Sequence, residues 1–313
     1  MQPAAELPLL LGVDFSCAPS RRKPITVASG RLVGSVLRME GAQALPTLVD
    51  FETFLATEGP WLGAFDFPFG LPRAFVDGQQ LGSTSAAVIA EVQRRCPTRM
   101  DFRALVDTWG NTQPKGQRLL HRSTDGAMPG VRSTSPLQTR YVPVGLMYYE
   151  GLSRLIAAGV TLPRLHEPAE GDERDSLRVA VEGYPGLLAH ELIGHRSYKN
   201  SLEPDRLIAR KDIVDALEQG RTRLGLRLKL SHAQREALVD DASGDRLDAA
   251  LCLMQAAWAS QRDGLGLPAQ VDPVEGWIVT AAPAAVAQPA TPQVDPASAP
   301  CCELRPNPWR VAR

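Results

Sequence analysis

The stretch Leu9-Leu-Leu-Gly-Val-Asp-Phe-Ser16 is an aliphatic run that stops on an aspartate. A run this apolar and this short reads as a strand buried on both faces. An ionised carboxylate taken into such surroundings costs several kcal/mol even after relaxation, so something cationic or hydrogen-bonding must meet Asp14. The same pattern returns twice. Trp61–Phe65 is a short apolar run stopped by Asp66, with Pro68 and Pro72 enforcing a loop behind it. Leu177–Val181 is stopped by Glu182, and Pro185 then suits the first turn of a helix.

Between these strands the periodicity changes. Residues 25–29 and 31–38 read as two strands joined by a hairpin turn at Ser29 and Gly30, and 45–57 carries the three- and four-residue apolar spacing of a helix. From about 78 to 173, helix-like pieces alternate with loops rich in Gly, Pro, Ser and Arg, which reads as an insertion or lid. The segment 240–261 reads as a helix apolar nearly all round, hence buried, except for a first turn carrying Asp245 and Asp248 on one face. Glu275–Ala281 looks like a closing strand. Residues 281–313 form an Ala/Pro-rich tail with too little apolar bulk to fold, and they include Cys301 and Cys302, which lack the company for a zinc site. The expected architecture is therefore α/β: one domain over residues 1–280, interrupted at about 78–173, followed by a disordered tail.

Bulk composition narrows the function. A formal net charge of -1 gives no global pull toward nucleic acid, so any such binding must use local patches. Five cysteines spread over 313 residues make no disulfide framework, and no run approaches the ~20 residues of a membrane span. The N-terminal Leu7–Val13 segment lacks the basic flank of a signal peptide. A cytoplasmic protein with no membrane partner is expected.

Clustered carboxylates at strand ends repel one another unless a hard divalent cation sits among them. Two Mg2+ or Mn2+ ions held ~3.5–4 Å apart by such acids can drive phosphodiester hydrolysis. On this reading Asp14 bridges the ions, Asp66 and Glu182 each hold one side, and Asp245 or Asp248 completes the shell. The alternatives are pairing of Asp14 with Arg21 or Arg22, and helix-dipole stabilisation by Asp245 and Asp248. His121, Arg122, Arg132 and Arg140, mixed with hydroxyls and Tyr141, can hold a phosphate backbone or simply be solvated and locally paired. Tyr198 and Lys199 can contact phosphate or lie in a solvated loop.

The segments LGVDFSCAPSRRKPITVA, GAFDFPFGLPR, VEGYPGLLAHEL, SYKN, DRLDAALCLMQAAWA and EGWIV resemble the DUF429 family, whose members are predicted to be RNase H-like nucleases. The resemblance covers residues 8–102 and 177–280. It implies an RNase H-like core, a mixed β-sheet flanked by helices, with the family's acids at Asp14, Asp66, Glu182, Asp245 and Asp248 and its YK pair at Tyr198 and Lys199. The implied activity is a Mg2+- or Mn2+-dependent nuclease, with Asp14, Asp66, Glu182 and Asp248 catalytic; Lys199, together with Arg132 and Arg140 of the Arg-rich segment outside the resemblance, would face the nucleic acid, DNA or RNA. Two other functions fit less of the sequence. An ATP-dependent phosphotransferase or ATPase of the actin and sugar-kinase architecture needs Gly-rich phosphate loops and a second copy of the core, and neither is visible. A non-catalytic binding protein would keep the acids for folding.

Overall fold

The structure, a computed structural model, describes residues 8–57, 59–128, 133–167 and 177–281. Arg132 and the tail, with Cys301 and Cys302, lie outside them. Strands β1 (Leu9–Asp14), β2 (Ile25–Val33) and β3 (Val36–Leu45) form a meander, followed by helix α1 (Leu48–Leu55) and strand β4 (Trp61–Phe65). Helices α2 (Arg73–Gln79), α3 (Ser85–Arg95), α4 (Arg99–Thr112) and α5 (Val144–Ala157) come next, then β5 (Arg178–Glu182), α6 (Pro185–Ile193) and α7 (Pro204–Glu218). Strand β6 (Arg227–Lys229), α8 (His232–Asp240) and α9 (Asp245–Ser260) complete the order. The six strands make one mixed sheet in the order β5-β4-β1-β2-β3-β6, in which β2 is antiparallel to both β1 and β3, while β1, β4 and β5 run parallel.

Side chains alternate across these strands, and the alternation divides the core in two. Leu10, Leu62, Ala64, Val179 and Val181 face α6, α7, α8 and α9. Leu11, Val13, Trp61, Phe65 and Ala180 face α1 to α5. The segment read as an insertion or lid thus supplies three of the five helices of this layer, α3 to α5: Val88, Val92, Phe102, Trp109, Leu152 and Leu155 are buried in the same apolar cluster as Phe51 and Phe65.

Gly12 decides how closely the other layer can approach. A Cβ there would stand 2.1 Å from both the Ala249 carbonyl oxygen and the Leu253 amide nitrogen, so α9 lies directly on the backbone of β1. That contact carries the first turn of α9 toward the end of β1.

Two boundaries differ from expectation. β2 continues through Ser29 and Gly30 by means of a β-bulge, and the hairpin turns instead at Gly34, whose φ of 58° suits a residue without a Cβ. Glu275–Ala281 contributes one parallel bridge, Glu182 to Ile278, in place of a closing strand.

Candidate functional site

β1 and β4 run side by side with Val13 paired to Phe65, so the residues that follow, Asp14 and Asp66, leave the sheet together. By alternation both belong to the face covered by α9. There they meet Asp248, one turn into that helix. Oxygen atoms of Asp14, Asp66 and Asp248 all lie within 4.8 Å of one another, with Asp248 buried and the other two half-buried. Three of the expected acids are therefore gathered.

Glu182 is not among them. It pairs across the sheet with Phe65, which puts it on the opposite face from Asp66, toward the α1–α5 layer. A cation from that layer meets it: Arg122 donates from both terminal nitrogens, at 2.6 and 2.8 Å, and the Phe69 amide donates at 2.9 Å. Arg122 also holds Asp125 and the carbonyl oxygen of Glu275, and Ser133 donates to Asp125 at 2.6 Å. Glu182 is thus a buried ion-pair partner that ties the Arg122–Asp125 turn to the end of β5. Arg122, expected with the phosphate-binding cluster, is sealed from solvent by the same contacts.

The rest of the expected set divides similarly. Asp245 lies near Asp14 without joining the three, and its pKa is raised mainly by burial and also by Asp241. The N-terminus of α9 is instead served by Asp241, which accepts from the amides of Ser243 and Arg246. Arg140 is exposed and ion-paired to Asp107 at 2.5 Å.

Lys199 does belong to the site. Its ammonium contacts Asp248, and its stem lies over Gly244, where a Cβ would come 2.9 Å from the Lys199 Cγ. Tyr198 donates to the other Asp248 oxygen at 2.6 Å. Burial is the main cause that pushes the Tyr198 hydroxyl well above its ordinary pKa, with Asp66 and Asp14 adding to it, so it remains a donor. Burial likewise holds the Cys252 thiol protonated. Tyr184 is pushed up to about 12 by burial and then by Asp66. Of these rim groups, Tyr198 carried a sequence signal through its YK pair, whereas Cys252 and Tyr184 sat unmarked among apolar neighbours.

Burial raises the pKa of both half-buried acids. Asp66 is pushed up to about 6 by desolvation, with Lys199 lowering it and Glu182 raising it. Asp14 is raised well above the carboxylate range by desolvation and then by Asp66, with Lys199 opposing. Such acids are poised to exchange protons for a cation. Their donor set fits Mg2+ or Mn2+: three hard carboxylate oxygens, with the one nearby sulfur kept as a neutral thiol. With all three ionised, the carboxylates and the Lys199 ammonium together carry two negative charges, which one divalent cation would balance. Among the described residues no helix is long and apolar enough to cross a membrane. No family model, curated protein or solved structure matches the chain.

Proposed function

We propose that this protein is a cytoplasmic, divalent-metal-dependent nuclease with an RNase H-like core, as the DUF429 resemblance implies, and that it hydrolyses phosphodiester bonds at Asp14, Asp66 and Asp248. The observation that carries the reading is the convergence of these three carboxylates, which come from two adjacent parallel strand ends and a helix start, within 4.8 Å. The sheet order supports the fold part: a β1–β2–β3 meander whose first strand is flanked on its other side by parallel β4 and β5, with helices on both faces.

Mg2+ or Mn2+ would be held by the three aspartates, where it supplies Lewis-acid polarisation of the scissile phosphate. The chain's own groups do the rest. Asp248 is oriented by the Tyr198 hydroxyl. The Lys199 ammonium offsets the negative charge that the acids and a phosphate would otherwise pile up, which suits a site for one ion rather than two. Glu182 and Arg122 hold the loop after β4, through the Phe69 amide, in the position that presents Asp66.

Purified protein and its Asp14→Asn variant, incubated with Mg2+ or Mn2+ and single-stranded, duplex and hybrid oligonucleotides, test the reading. We expect cleavage by the parent to fall by about a hundredfold or more in the variant, since even an outer-shell partner of a metal ligand is worth about 10–100-fold. Equal rates, or no cleavage of any substrate by the parent, would overturn it.

A further inference from the structure

The loop that follows Asp14 carries Arg21, Arg22 and Lys23 in succession, all exposed. None of their side chains is hydrogen-bonded or ion-paired among the described residues, although most other arginines here have partners. The loop is nonetheless built. The Ser20 amide donates to the Lys23 carbonyl at 3.0 Å and the Lys23 amide to the Ser20 hydroxyl at 3.1 Å, closing a turn that presents the three cations. Lys23 is close enough to Asp14 and Asp245 for its charge to act on both.

A second unusual feature hangs from the same support. Arg99, Arg103 and Asp107 are spaced four apart on α4 and so share one face. Arg99 donates to the Cys17 carbonyl in the cationic loop at 2.6 Å, Arg103 donates to the Thr139 carbonyl at 2.8 Å, and Asp107 accepts from Arg140. Both loops are therefore pinned along one side of one helix. The second loop displays Tyr141, which is 99% exposed and held at a φ of 60°, a left-handed conformation that non-glycine residues rarely adopt. A large aromatic ring kept wholly in water, in an unfavourable backbone state, on a loop anchored to the same helix as the loop of unpartnered cations has the form of a stacking platform paired with a phosphate grip.

We infer that Arg21, Arg22, Lys23 and Tyr141 form the binding surface for a single strand of nucleic acid, with the cations on its phosphates and the Tyr141 ring stacked on a base. This rests on the nuclease reading for its direction: the strand leaves the carboxylate site past Lys23. It also explains how a chain with a net charge of -1 engages a polyanion, since the cations are concentrated at one place.

The test measures binding by fluorescence anisotropy in an Asp14→Asn background with Mg2+, so that little substrate is consumed. The probes are a 12-nucleotide single strand, its blunt duplex and heparin. Each phosphate contact on a single strand contributes about 0.7 to the slope of log affinity against log salt, so R21A/R22A/K23A is expected to lower that slope by about 2. Tyr141→Ala is expected to weaken the single strand by about tenfold, the scale of one lost base stack, and to leave heparin unaffected. The inference is overturned if the triple variant keeps the parent's slope, if Tyr141→Ala weakens heparin as much as the oligonucleotide, or if the duplex binds more tightly than the single strand. Failure of the nuclease reading looks different: the parent would cleave nothing, while the binding defects of these variants persisted.

Discussion

The Asp66 carboxylate titrates at about 6, against an ordinary value of 3.8, chiefly because burial penalises its charge. An acid whose folded-state pKa lies above its unfolded value stabilises the fold only while protonated. That contribution is present below about pH 4 and is lost as pH rises through about 6. Metal-free protein is accordingly expected to gain about 1–2 kcal/mol at pH 7 from Asp66→Asn, measured by urea unfolding in chelator. A bound cation reverses the preference, so apparent Mn2+ affinity should fall steeply as pH drops below about 6. Glu182 also closes a buried strand and is also raised by burial, but it differs from Asp66 in being met by the Arg122 guanidinium, which opposes that rise. Because it is satisfied by Arg122, Glu182→Gln should cost about 1–3 kcal/mol of stability and leave Mn2+ affinity within about threefold, where calorimetric titration would read the difference from Asp14→Asn.

At the level of elements, the site is made by two coincidences of register. Asp14 and Asp66 stand level because β1 and β4 pair with Val13 beside Phe65, and Asp248 reaches them because Gly12 lets α9 settle onto β1. Gly12→Ala should therefore cost roughly 1–3 kcal/mol through overpacking, and should weaken Mn2+ binding as well by moving Asp248, whereas a surface change of equal stability cost should leave binding alone. The strand-end acids and the acidic start of α9 were legible in the sequence because apolar runs that stop on a carboxylate have few structural excuses. The parity of Glu182 was not, since it depends on which residue of β4 it faces. Nor was the bulge at Ser29 and Gly30 separable from a turn, because glycine serves both.

For the molecule as a whole, helices α3 to α5, within the stretch read as an insertion, prove to be part of one layer of the core. Their amphipathic spacing announces helices without telling which surface they cover, and only the paired face of the sheet, with Trp61, Phe65 and Ala180, supplies that answer. Arg122 then links this layer to the end of β5, next to the site. A ligand that binds the folded state at 100 times its Kd adds about 2.7 kcal/mol, so saturating Mn2+ should raise Tm by about 5–10 °C in the parent and by far less in Asp248→Asn. The most direct measurement is the anomalous scattering of Mn2+ diffused into crystals of the protein. The account predicts a single strong peak among the Asp14, Asp66 and Asp248 carboxylates, with none on Glu182. Peaks confined to other acids, or an undisturbed Lys199–Asp248 pair with no ion beside it at saturating Mn2+, would contradict it.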